Sequence, residues 1–549
     1  MTHYRKPVYA PRGVCATSQP LAAAAGLAAL RRGGNAVDAA IATAVALAIV
    51  QPGSNDIGGD LFAIVWDGRA LYGLNASGRS PAALTREAVL AAGTSAIATW
   101  AHGGSQARAG SHGAMPAFGW PAVTVPGAPA GWRDLHERFG SLPFRDLFAD
   151  AIGYAEYGYP VSPSVAGGWG RAVARHATLT GEEFAEWGRV WTIGGRAPRE
   201  GERWRNPDAA RTLRLIADSR ADDFYHGEIA RELAGFAART GGLLTAGDLA
   251  RHTSTWVDPV SAGYHGHEVW ELPPNGQGVA TLLALRILDG LDLSGASGQE
   301  RRHAQIEAMK LAFADTHAYV ADPERVEVPT AAMLSEPYVR QRRAEIGPSA
   351  ADPKPGDPAG GGTVFLCTAD EDGMMVSLMQ SNYLGFGSFV ALPGYGFGLQ
   401  NRGVGFSLDP AHPNVVGPGK RPFHTIIPGF LTRDGAPVGP FGVMGGHMQP
   451  QGHLQVVIGT VDGGLDPQAA LDAPRWYWHT GREVAVEAAL VAGPEGAALL
   501  DGLRGRGHEI TVTGDGGPQF GHGQVIWRLP EGGYVAGSEP RADGSAVGY

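Results

Sequence analysis

Apolar positions in the first 70 residues fall into three blocks. Leu21, Leu27 and Leu30 recur among alanines at helical spacing, and Gly33-Gly34 stops that pattern. Ser18 stands where a cap belongs, and Pro20 falls in the first turn, where a missing N–H costs nothing. Asn35 or Asp38 then opens an alanine-rich second helix, Ala36–Val50, whose small side chains allow close packing. A loop with Pro52, Gly53, Gly58 and Gly59 follows, and Leu61–Trp66 reads as a strand. Helical periodicity dominates from Phe144 to about Ala250. Gly241-Gly242 ends one helix there, and Thr245 can cap a short turn at Ala246–Leu249. Tyr264–Glu271 reads as one strand, and Gln305–Tyr319 as an amphipathic helix.

Ala351–Gly362, "ADPKPGDPAGGG", interrupts the pattern with three prolines and four glycines. Such a segment reads as an exposed linker, the kind of place where chains are cut. The character then changes. Thr363–Thr368 and Met375–Met379 read as two strands of a hairpin turning at Asp370–Gly373. Short strands dominate afterwards, with few helices expected apart from Pro467–Asp472 and Gly493–Gly502. Mixed helices and strands without a fixed repeat point to a layered α/β or α+β body.

Composition narrows the classes. Hydrophobic residues are 44% and charged residues 18%, enough to bury a core and incompatible with bulk disorder. Glycine supplies 82 of 549 residues, far above the usual share of roughly 7%. A net charge of −10 argues against nucleic acid as a partner. The longest apolar stretch, Ala39–Val50, is too short for a bilayer span. A soluble cytoplasmic protein without a membrane partner is the expectation. Cys15 and Cys367 are the only cysteines and cannot build a disulfide framework or a cysteine-rich zinc site. His447 and His453 lie six apart with no carboxylate between them, so no metal is expected. "GFGSF" and "GYGFG" lack the lysine and helix of a phosphate loop, so no nucleotide cofactor is expected either.

The chemistry concentrates at the linker's end. A threonine hydroxyl beside a cleavable peptide can attack the preceding carbonyl, giving an ester that water resolves. The chain starting at Thr363 would then carry both a nucleophile and an α-amine. An α-amine, with an ordinary pKa of about 7.7–8.0, is a usable general base. Ser381 and Asn382, just past the hairpin, are candidates to reach back to it. Gly445 and Gly446 could aim two N–H groups at an oxyanion, worth about 3–4 kcal/mol per donor.

Ordered motifs give these residues a context. "ATSQPLAAAAGLAALRRGGNAVDAAIA" (16–42), "GSNDIGGDLFAIVWDG" (53–68), "LNASGRSP" (74–81), "ELPPNGQG" (271–278), "LQNRGVGFSLDP" (399–410) and "ALDAPRW" (470–476) run through the chain. From about Gly13 onward the chain resembles the γ-glutamyltransferase family of N-terminal nucleophile hydrolases. The resemblance implies an α+β fold, a four-layer αββα sandwich, and a zymogen that cuts itself between Gly362 and Thr363. It implies a large subunit, 1–362, and a small one, 363–549, that stay together. Whether two such heterodimers pair into a homodimer is left open by the sequence. It also implies Thr363 as nucleophile, Gly445 and Gly446 as the oxyanion pair, and Ser381 and Asn382 as supporting groups. Arg79 is expected to hold a substrate carboxylate, since its planar fork grips one with two hydrogen bonds.

The pattern departs from the family at three places. Gly405 stands where an aspartate grips the α-ammonium of a γ-glutamyl group, His424-Thr425 replaces a Ser-Ser pair at the carboxylate, and Val364 replaces a second threonine. Arg79 together with Arg402 would suit an acyl group with a carboxylate and no amine. The wording is similar to a subgroup holding glutathione hydrolase-like proenzymes and oxamate amidohydrolase, with cephalosporin and glutaryl acylases as further relatives. The expected activity is amide hydrolysis, through an acyl-enzyme, of a γ-glutamyl-like or small carboxylate-bearing amide such as oxamate. A true γ-glutamyltransferase acting on glutathione and an unprocessed binding protein are the alternatives.

Overall fold

The computed structural model describes residues 5–93, 112–352 and 362–549. Residues 353–361, most of the expected linker, lie outside the described residues. Two seven-stranded sheets, antiparallel throughout, form the centre. One sheet runs Ser545–Gly548, Val14–Thr17, Gly362–Ala369, Met375–Tyr383, Asp60–Trp66, Leu71–Asn75, Thr255–Val257. The other runs Val8–Ala10, Tyr534–Ser538, His522–Arg528, Ala436–Met444, Gly429–Arg433, His267–Glu271, Val260–Tyr264. Both mix strands from before and after residue 362, so a cut there would leave two interleaved chains.

Side-chain alternation fixes the layers. Phe62, Ile64 and Trp66 point between the sheets, where they meet Phe365, Met379, Ile426, Phe430 and Met444. Leu61, Ala63 and Val65 point the other way, against the helix Ala36–Val50. All 15 residues of that helix are buried, which explains a sequence with almost no polar face. Asn35 and Asp38 cap it reciprocally. On the far side, Val269, Leu431, Phe441 and Val443 pack under the helices Gly278–Asp289, Gly298–Tyr319 and Met448–Val461. The result is the four-layer α+β sandwich that the resemblance implies.

Local expectations fare unevenly. Pro467–Asp472 is helical as read, and the last expected helix extends to Gly493–Gly505. Gln19, not Ser18, caps the first helix: its side chain accepts from Leu21 N and Ala22 N, while Ser18 Oγ donates to Gln51. Tyr264–Glu271 is not one strand but a hairpin, Val260–Tyr264 and His267–Glu271, turning at His265 and Gly266, both at positive φ. No helix among the described residues is long and apolar enough to cross a membrane.

Candidate active site

Thr363 is the second residue of the strand Gly362–Ala369 and is fully buried. Pairing with the neighbouring strand shifts there, from Gly362–Tyr383 to Val364–Gln380, so Thr363 sits at a bulge. Its Oγ1 lies 3.0 Å from Ser381 Oγ and 3.5 Å from Gln449 Nε2. Ser381 Oγ also accepts from Tyr383 N (2.9 Å) and Arg402 Nη2 (2.8 Å). Tyr383 takes φ +75, which turns the chain out of the strand and brings its N–H back to Ser381.

Arg402 opens the turn Arg402–Gly405 and is fully buried. It donates to Ser381 Oγ and to Thr425 Oγ1 (2.8 Å) and lies 4.4 Å over the Tyr383 ring. Its Nε–H has no partner, and no carboxylate among the described residues comes within ion-pair distance. Burial lowers its pKa to about 10, with Asp60 opposing. Asp60 begins the strand Asp60–Trp66 and was not singled out from the sequence. Its Oδ1 accepts from Gly78 N and Gly127 N, each at 3.2 Å. Its Oδ2 lies 3.1 Å from His424 Nε2. Ile426 N donates to His424 Nδ1, so Nε2 carries the His424 proton and donates to Asp60. Burial holds His424 well below the ordinary histidine range, helped by Arg402 and Arg421.

Burial also pushes the Asp60 carboxyl up to about 7, against the pull of Arg402 and the two glycine N–H groups. An unfolded aspartate titrates near 3.9. Between about pH 4 and 7 the folded chain therefore binds a proton that the unfolded chain has lost, and stability falls as pH rises through this window. Melting temperature against pH should accordingly slope less steeply in Asp60→Asn than in the wild type. Parallel slopes would show that Asp60 ionises normally.

Gly445 and Gly446 follow the strand Ala436–Met444 at φ +132 and +61. A Cβ on Gly445 would lie 3.1 Å from Gly521 Cα, so close packing as well as φ requires glycine there. Gly445 O accepts from Met448 N and Gly446 O from Gln449 N, so both carbonyls face the helix Met448–Val461. In a trans peptide the N–H points opposite to the carbonyl. The Gly446 N–H therefore points away from this helix, whose second residue, Gln449, reaches Thr363. Asn382 is buried beside Ser381, and neither side-chain atom has a hydrogen-bond partner among the described residues.

Arg79 is placed differently from Arg402. Its Nη2 reaches both carboxylate oxygens of Glu324 at 2.6 and 2.7 Å, and the side chain is 22% exposed. The structure thus joins Thr363, Ser381, Arg402 and Thr425 by hydrogen bonds, with His424, next to Thr425 in sequence, held by Asp60, while Arg79 pairs with Glu324. His453, set aside as a metal ligand, is paired with Glu271 at 2.7 Å.

A threonine on a bulged inner strand between two helix-covered sheets is the arrangement of the N-terminal nucleophile amide hydrolases. The comparisons narrow this class. The chain belongs to the gamma-glutamyltranspeptidase family, whose model matches residues 22–549. It is 34% identical to the glutathione hydrolase-like YwrD proenzyme of Bacillus subtilis (strain 168), over 96% of this chain and 97% of that protein. It is also 34% identical to the oxamate amidohydrolase proenzyme of Klebsiella pneumoniae, over 98% of each. The crystal structure of a cephalosporin acylase from Bacillus halodurans superposes with a TM-score of 0.92 at 49% identity, covering 100% of this chain and 98% of that one. The chain is therefore an amide hydrolase of a family whose members are made as proenzymes.

Proposed function

We propose that the chain cuts itself between Gly362 and Thr363 and then hydrolyses a small amide whose acyl part carries a carboxylate but no α-ammonium. Thr363 Oγ1 attacks the Gly362 carbonyl carbon and the Gly362–Thr363 C–N bond breaks, passing the acyl group to oxygen and freeing the amine. Water cleaves the ester, leaving a Gly362 carboxylate and Thr363 as a new N-terminus. In turnover that α-amine takes the hydroxyl proton as Oγ1 attacks the substrate carbonyl. The developing oxyanion lies against the Gly445 and Gly446 N–H groups. The α-ammonium returns the proton to the departing amine, and water releases the acid from the acyl-enzyme. Ser381 orients Oγ1 throughout, and the unpartnered Asn382 amide is available to the substrate.

The observation that carries the substrate class is Arg402: a buried guanidinium, hydrogen-bonded to the serine that touches the nucleophile, with an Nε–H that has no partner and, among the described residues, no carboxylate within ion-pair distance, Asp60 acting on it only from further off. A buried cation in that state is stabilised by an incoming anion. Among the described residues the same neighbourhood offers an ammonium no unengaged carboxylate. A Cβ at Gly405 would lie 2.4 Å from Phe423 O, so no carboxylate side chain fits there. The Asp60 oxygens already accept from Gly78, Gly127 and His424. Oxamate, with a carboxylate beside its amide and no α-ammonium, matches this chemistry, as does a glutaryl amide.

Parallel hydrolysis of oxamate, a glutaryl amide and glutathione by the processed protein tests the reading. One of the first two should exceed glutathione in kcat/KM by about tenfold or more, the size expected for one charge-assisted contact. Rapid release of glutamate from a γ-glutamyl anilide, accelerated by a dipeptide acceptor, would overturn it in favour of γ-glutamyl transfer.

A further inference from the structure

The two-glycine turn Gly445-Gly446 is intrinsically pliable, since both residues sit at positive φ where glycine has many alternatives. One side chain from another segment pins it. Gln277, fully buried, lies with Nε2 2.9 Å from Gly446 O and 2.7 Å from Thr425 O. Two carbonyl oxygens can be met only by the amide's NH2 end, so the orientation of Gln277 is fixed. Its Oε1 then faces His447 Nδ1 at 3.0 Å, and Nδ1 must carry the imidazole proton. The His447 ring is buried and packed edge-on to Phe313 (5.8 Å), near-parallel to Phe423 (6.0 Å) and beside His317 (5.0 Å). Burial, with His317 and Arg402 nearby, keeps it neutral.

We propose that Gln277 and His447 are positioning residues for the hydrolysis: the His447 Nδ1–H holds the Gln277 carbonyl oxygen, and the Gln277 NH2 holds the Gly446 carbonyl, anchoring the C-terminal side of the turn whose preceding peptide carries the Gly446 N–H. The same amide ties this turn to Thr425, whose hydroxyl accepts from Arg402. Gln277 thus joins the oxyanion turn to the residue supporting the substrate-binding guanidinium. The inference rests on the reading of Gly445 and Gly446 as oxyanion donors.

The test compares processed full-length variants on whichever carboxylate amide the wild type hydrolyses. His447→Phe keeps the ring packing and removes the donor. His447→Asn puts an amide N–H where Nδ1–H stands. His447→Phe should lower kcat by about tenfold or more with KM changed less than about twofold, since misaimed donors cost transition-state stabilisation only. His447→Asn should recover most of that loss at a similar melting temperature. Gln277→Glu, isosteric but unable to donate to two carbonyls, should repeat the kcat loss and serves if the phenylalanine variant does not fold. Wild-type kcat in His447→Phe or Gln277→Glu, or an asparagine variant as slow as the phenylalanine one, would overturn the proposal. Gly445→Ala separates this from failure of the underlying reading. Alanine keeps the N–H but strains the turn at φ +132, so a large kcat loss there alongside a normal His447→Phe sinks only the relay, whereas wild-type kcat in Gly445→Ala, His447→Phe and Gln277→Glu together sinks the reading that the aim of this turn governs turnover.

Discussion

Thr363→Ala should migrate as one uncut polypeptide on a denaturing gel, while the wild type resolves into residues 1–362 and 363–549. The substitution deletes Oγ1, the atom 3.0 Å from Ser381 Oγ, and one methyl group. The β-sheet pairing on either side of residue 363 is made by backbone and by Val364 to Ala369, so the fold should survive with a melting temperature close to wild type. Without the hydroxyl there is no acyl shift at Gly362, no new α-amine and no nucleophile for turnover. Activity should fall by on the order of 10⁴-fold or more, the scale seen when a covalent nucleophile is removed. Thr363→Ser keeps an oxygen and loses a methyl group, and should still be cut, more slowly. A wild-type protein that remains whole while active would refute the mechanism. So would an alanine variant that hydrolyses amides at more than a small fraction of the wild-type rate.

Much of the layer structure is legible because burial on two sides writes itself into composition. The helix Ala36–Val50 could be delimited to the residue, since a segment packed on both faces needs small apolar side chains and a polar cap at Asn35. The hairpin around Gly373 is equally legible, because that residue takes φ +88 and few others do so cheaply. The hairpin at His265 was hidden for the same reason: histidine at φ +44 carries no turn signature in sequence.

The site was less legible because contacts between distant segments decide it. Asp60, Gln277 and His447 come from three widely separated stretches: strand pairing within one sheet sets Asp60 opposite Ser381, and Gln277 and His447 meet at the Gly446 turn. Two of them lay inside quoted motifs, Asp60 in "GSNDIGGDLFAIVWDG" and Gln277 in "ELPPNGQG", without any spacing to mark a role. A buried aspartate opening an otherwise apolar strand was the one available signal for Asp60. Arg79 shows the opposite problem. Its place in a motif suggests the pocket, and its ion pair with Glu324, 245 residues away, carries no mark in the sequence.

Arg402 and Arg79 should therefore separate cleanly by mutation. Arg402→Met removes the buried guanidinium and leaves Ser381 Oγ and Thr425 Oγ1 each without one donor. For a substrate with a carboxylate, kcat/KM should fall roughly 10²- to 10³-fold, because truncating one partner of a buried charge pair costs about 2–5 kcal/mol. For a neutral amide of the same shape the loss should be much smaller, since only the Ser381 support is removed. Arg402→Lys should recover little: a lysine ammonium cannot reproduce a planar fork that bridges Ser381, Thr425 and a carboxylate together. Arg79→Met, which removes a partly exposed pair with Glu324, should stay within about threefold of wild type. The reverse ranking, with Arg79→Met crippled and Arg402→Met active on the carboxylate substrate, would move carboxylate recognition to Arg79. The buried guanidinium would then be a structural brace for Ser381, holding the nucleophile's neighbour without touching the substrate.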